Sequence, residues 1–221
     1  MPVPKEEDWR AIAEEFKEKW NFLCLGSING KHMVIQAPPC SGSQFYNYKG
    51  TYSIVLLALV DANYWFRVID IGANGRASDG GTLRESAFGR ALQDGTLGIP
   101  PPATLPVADH LGPVLYVFVG NKAFPLKPNL MRLYAGPQDP GSPQRIFNYQ
   151  LSRARLVVEY TFGTFSALWR MYRQVLTLKP ENTEVCVKAT RVLHNFLRTS
   201  QGSLRSQRST RTDVGVPSGG L

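Results

Sequence analysis

Ser27-Ile28-Asn29-Gly30-Lys31-His32-Met33-Val34-Ile35 is the first strong strand signal in the chain, and the fold is read outward from it. Its second half alternates, with His32 and Val34 on one side and Met33 and Ile35 on the other. A buried first strand of an α/β domain often carries a polar residue directed at the site. Here that residue is Asn29, an amide and not an acid.

Further along, residues 52–60 form a continuous apolar run, the pattern of a strand covered on both faces. Asp61-Ala62-Asn63 reads as a turn, and residues 64–71 alternate as a third strand. Short connections make these three strands an antiparallel meander. Residues 82–93 read as one helix, capped by Ser78 or Asp79. Residues 94–112, with four prolines, read as a surface loop. Residues 114–119 form the next buried strand, which a helical crossover makes parallel to its neighbour. A short helical piece is expected over 124–134, the longest helix over 149–171, a short strand over 173–178 and a final helix over 181–197. The pattern predicts an α/β fold: a mixed sheet of three antiparallel strands followed by parallel strands, with helices on both faces.

At 221 residues the chain has material for one sizeable core. Residues 1–20 hold a helix with an apolar stripe of Trp9, Ile12, Ala13, Phe16 and Trp20, read as a lid or the remnant of a longer upstream helical region. Residues 21–199 are the domain, and 200–221 read as a disordered basic tail with Arg205, Arg208 and Arg211. Three scattered cysteines point to a reducing compartment, not a disulfide scaffold or four-cysteine zinc site. No apolar run is long enough to cross a bilayer as a helix. The formal charge of +8 favours acidic partners, nucleic acid before anionic membrane. The bland alternative is a basic surface that serves solubility alone.

The polar residues with a chemical claim are Asn29, Asp70, Asn121 and Glu159. Asn121 follows the parallel strand at its carboxyl end, where α/β folds place ligands. Glu159 lies mid-helix, one turn after Arg155, so a plain i,i+4 ion pair competes with any metal role. Hard divalent cations need several anionic oxygens, and Asn29 and Asn121 offer only neutral carbonyls. The three histidines are too scattered for a zinc triad. Gly72 and Gly75 lack the third glycine of a dinucleotide fingerprint, and there is no phosphate-loop lysine motif or nucleophile elbow.

With these residues in place, the chain resembles the Harbinger/PIF transposase-derived nucleases, the DDE superfamily endonuclease domain. Gly26-Ser27-Ile28-Asn29-Gly30-Lys31-His32 is similar to the family's first acidic motif. Gly75-Arg76-Ala77-Ser78-Asp79-Gly80-Gly81, Val119-Gly120-Asn121-Lys122-Ala123-Phe124-Pro125-Leu126 and Val158-Glu159-Tyr160-Thr161-Phe162-Gly163 follow in the family's order. The resemblance covers about residues 20–199. It implies an RNase H-like fold, a site for a divalent cation (Mg²⁺ or Mn²⁺), DNA cleavage in active members, a Myb-like DNA-binding partner protein and nuclear residence, with cytoplasmic residence left open. The family's two aspartates fall at Asn29 and Asn121 and its glutamate at Glu159.

Two of three metal-ligand positions are therefore altered, while Asp70 and Asp79 stand as compensating acids. The leading expectation is a catalytically impaired nuclease-like domain that retains DNA or protein binding. Lys31, Lys49, Arg76, Arg153 and Arg155 are the nucleic-acid candidates. One alternative is an active metal-dependent endonuclease rebuilt on Asp79 and Glu159. The other is a non-catalytic scaffold or pseudogene-like product.

Overall fold

In the computed structural model, which describes residues 4–105, 110 and 112–212, with side chains only as far as 199, the 27–35 stretch lies at the centre of the sheet. The sheet has five strands in the order β3-β2-β1-β6-β7. They are β1 (Ser27–Val34), β2 (Ser53–Val60), β3 (Phe66–Asn74), β6 (Phe118–Gly120) and β7 (Leu130–Met131). β1 pairs antiparallel with β2 along its whole length, and β2 pairs antiparallel with β3. On its other side β1 pairs parallel with β6, through Ser27↔Val119 and Ile28↔Gly120. β7 extends the parallel part. Helices cover both faces, giving the mixed α/β sheet of an RNase H-like fold.

The core follows from the apolar patterning. All eight residues of β2 are buried, because β2 lies between β1 and β3 and is covered on both faces. On one face lie α4 (Pro143–Leu168) and α5 (Pro180–Thr212). Phe66 of β3 meets Phe162 and Phe165 of α4 and His194 of α5 there. On the other face, Trp9 of α1 (Glu6–Trp20) and Phe88 of α3 (Ala87–Gln93) meet the Phe118 ring edge-on, at 5.5 and 5.2 Å.

Several local expectations need correction. The single helix expected over 82–93 is two, α2 (Asp79–Glu85) and α3, broken at Ser86. The Ser86 hydroxyl accepts from Gly89 N at 2.9 Å and donates to Leu83 O at 2.7 Å, so it caps the second helix and ends the first. The 94–112 loop contributes a two-residue strand, β4 (Ala103–Thr104), that pairs with β5 (Pro113–Val114). The strand expected over 114–119 is thereby split between β5 and β6. The 124–134 piece is turns and β7, because Pro125 and Pro128 cannot supply helical N–H donors. The 173–178 strand reduces to one bridge, Ile35↔Leu176. The last helix, expected over 181–197, has the bounds Pro180–Thr212. Of the expected tail, 213–221 lie outside the described residues. Among the described residues no helix is long and apolar enough to cross a membrane.

The candidate metal-ligand positions and the basic groove

Asn29 and Asn121 meet at the junction of β1 and β6. Asn29 lies two residues beyond Ser27, and Asn121 directly follows β6, so the parallel pairing of Ile28 with Gly120 sets them side by side. The Asn121 amide donates from Nδ2 to Asn29 Oδ1 at 2.8 Å. Backbone donors orient both amides. Gly30 N donates to Asn29 Oδ1 at 2.9 Å, and Ala123 N donates to Asn121 Oδ1 at 2.7 Å. An N–H cannot face an NH₂, so each carbonyl oxygen must point where it does.

Asp79 completes the cluster from the N-terminus of α2. Its Oδ2 accepts from Asn121 Nδ2 at 3.3 Å. Two features of the sequence admit it. Ser78 caps α2 by accepting from Gly81 N at 3.1 Å, which fixes where Asp79 begins the helix. Gly30 leaves the strand surface bare, since a Cβ there would lie 2.1 Å from Asp79 Oδ1. This contact depends on a glycine in one segment and an acid far along the chain, so no local pattern announces it.

Glu159 lines the same groove but is bound to another partner. Arg155 Nη1 donates to Glu159 Oε1, and the glutamate side chain is 40% exposed. Glu159 is thus a half-exposed member of the i,i+4 ion pair that its spacing from Arg155 allows, at the groove wall. Asp70 pairs with Leu57, itself paired with Gly30, so all three side positions share one sheet face. That places Asp70 two strands from Gly30, about 10 Å by strand spacing, and it does not line the groove. Among the described residues no group of three or more His, Cys, Asp or Glu side chains is placed to hold a metal ion.

Around this cluster lies an open groove of about 980 Å³. Its charged wall holds Lys31, Lys49, Arg76 and Lys122 against the carboxylates of Asp79 and Glu159. Lys122 is a cation that the sequence reading did not single out, although it sits next to Asn121. Arg153 and Arg155 are not on this wall: Arg153 lies over the Tyr149 ring at 5.9 Å, and Arg155 is engaged by Glu159. Lys31 stretches over the Phe162 ring at 5.9 Å. Burial, aided by the Lys49 charge, lowers its pKa. His32 donates to or accepts from Ser53 Oγ at 2.8 Å. Burial lowers its pKa, with the Lys49 charge acting the same way and the Asp79 carboxylate opposing. The groove therefore offers anions one partly desolvated cation, Lys31, beside the exposed Lys49, Arg76 and Lys122.

A family model described as DDE superfamily endonuclease matches residues 28–195. The chain is 26% identical over 183 residues to Protein ALP1-like of Arabidopsis thaliana, an alignment covering 79% of this chain and 44% of that protein. This chain thus matches less than half the length of that relative. No solved structure matches it. The family match runs from within β1 to within α5 and takes in Asn29, Asp79, Asn121 and Glu159 together, so this chain belongs to the DDE superfamily endonuclease family.

Proposed function

We propose that this chain is a nuclease-derived DNA-binding domain whose metal-dependent cleavage has been lost. The observation that carries this reading is the Asn121–Asn29 hydrogen bond. Both amide oxygens also accept from backbone N–H groups, so each oxygen has a donor without a cation. A pair of hard divalent cations requires several anionic oxygens. Here the two amides are neutral, Glu159 is held by Arg155, and among the described residues Asp79 is the one carboxylate in contact with the amides. This donor set does not fit the family's metal site. The cationic wall of Lys31, Lys49, Arg76 and Lys122 suits phosphate binding that needs no metal. In this reading the domain acts on DNA in the nucleus, with a Myb-like DNA-binding protein as the partner class that the family resemblance suggests.

The contact between Asp79 and the amides favours a second reading, in which Asp79 and Glu159 rebuild a weak metal site. Calorimetric titration with Mn²⁺ separates the two. The first reading expects no binding by the natural protein and binding by the Asn29→Asp/Asn121→Asp variant. Equal binding by the natural protein, abolished by Asp79→Asn, would establish the second. DNA binding is tested by anisotropy across a salt series, where the first reading expects affinity to fall steeply with salt.

A further inference from the structure

We propose that the Tyr48 ring, held out into the groove by the 47–51 turn, is a stacking platform for an unpaired DNA base. The inference rests on the DNA-binding reading above and names the form of DNA the groove prefers. Tyr48 is 83% exposed, more than any other large apolar side chain among the described residues. Exposure alone would mean little, but the turn presenting it is built from within. Asn47 is 3% exposed. Its Oδ1 accepts from Lys49 N at 2.9 Å and Thr51 N at 3.3 Å, and its Nδ2 donates to Thr51 Oγ1 at 2.9 Å and Ser53 Oγ at 2.8 Å. Gly50, with φ of 77°, closes the turn in the left-handed region. A buried polar side chain thus spends its hydrogen bonds on fixing a loop whose tip is a largely exposed aromatic ring.

The surroundings of that ring are those of a nucleotide site. The His32 ring meets it edge-on at 5.5 Å, and His32 is itself held by Ser53 Oγ. The Lys49 ammonium lies over one face of the ring, 5.5 Å from its centroid, so a base would stack on the other face. Lys31 and Arg76 line the same groove and supply charge for the flanking phosphates. In an intact duplex both faces of every base are already stacked, so an exposed aromatic ring gains nothing from it. A base out of the stack has a free face, and stacking it on an aromatic side chain is favourable whatever its sequence. A fixed turn also lowers the ordering cost of the contact.

The test compares an intact labelled duplex with the same duplex carrying a short single-stranded gap, by anisotropy at one salt concentration. 2-Aminopurine in the gap reports stacking through its quenching. The natural protein is expected to bind the gapped DNA about tenfold more tightly and to quench the probe, the scale expected for one stacked base. Tyr48→Ala is expected to lose the preference and the quenching while keeping its affinity for intact duplex. Tyr48→Phe is expected to keep both. Lys49→Ala is expected to weaken both DNAs and lower the salt dependence. Equal binding of the two DNAs, or a preference that survives Tyr48→Ala, overturns the stacking role and leaves the DNA-binding reading standing. Failure to bind either DNA overturns both.

Discussion

Asn121 Nδ2 donates to Asn29 Oδ1 at 2.8 Å, in a position where the family resemblance places two carboxylates. Two carboxylates that close would repel by about 4 kcal/mol at an effective dielectric of 20, a cost that a bound cation removes. Two amides attract each other instead. The Asn29→Asp/Asn121→Asp variant is therefore expected to melt about 4–8 °C below the natural protein in chelator, for a loss of about 2 kcal/mol. Mn²⁺ should restore the variant and leave the natural protein unchanged. A variant as stable in chelator as the natural protein would show that the two side chains do not converge.

Gly30 and Asp79 are coupled by shape. A Cβ at position 30 would lie 2.1 Å from Asp79 Oδ1, so Gly30→Ala must drive the carboxylate off the strand. The expected cost is about 1–3 kcal/mol. In the background of Asp79→Ala the same substitution should cost less than half as much, because the obstructed atoms are gone. A double-mutant cycle by urea denaturation measures the difference. Additive costs would place Asp79 away from Gly30 in solution.

Burial lowers the pKa of both His32 and His194, the latter 2% exposed and packed against the Phe66 and Phe165 rings. In each case the neutral form is favoured by folding, so the unfolded chain binds the proton more readily. Stability contributed this way is complete above the unfolded histidine pKa of about 6.5 and is lost as pH falls through the folded value. Urea denaturation at pH 7.5 and 5 should show lower stability at pH 5, with a smaller difference in His194→Gln. Proton NMR titration of the imidazoles should place both midpoints below the ordinary histidine value.

Asn195 joins α5 to the sheet by imitating a neighbouring strand. Its Oδ1 accepts from Phe66 N and its Nδ2 donates to Phe66 O, each at 3.0 Å. Asn195→Ala leaves Phe66 N without this partner while Phe66 O keeps the Arg191 Nη2 donor at 2.9 Å, at an expected cost of about 1–3 kcal/mol. Thermal denaturation checks it, and Asn195→Asp should also be destabilising, since a carboxylate cannot donate to Phe66 O. A loss under 0.5 kcal/mol would mean that water replaces the amide.

The order of strands and helices was legible in the chain because alternation, apolar runs and short turns act over a few residues. The 27–35 stretch, the buried run after residue 52 and the cap at Ser78 are all of this kind. The ordered motifs also carried the family resemblance, which the family match over residues 28–195 bears out. Local patterns misread the 82–93 helix, where a serine hydroxyl ends one helix and starts another, and the 124–134 segment, where two prolines remove donors. What only the tertiary structure decided was which side chains touch. Asp79 reaches Asn121 because α2 packs over a glycine in β1, whereas Asp70, equally acidic and on the same sheet face, is held two strands away. Residue type supplies the charge, but contacts between distant segments depend on how helices pack across strands, and no spacing along the chain encodes that distance.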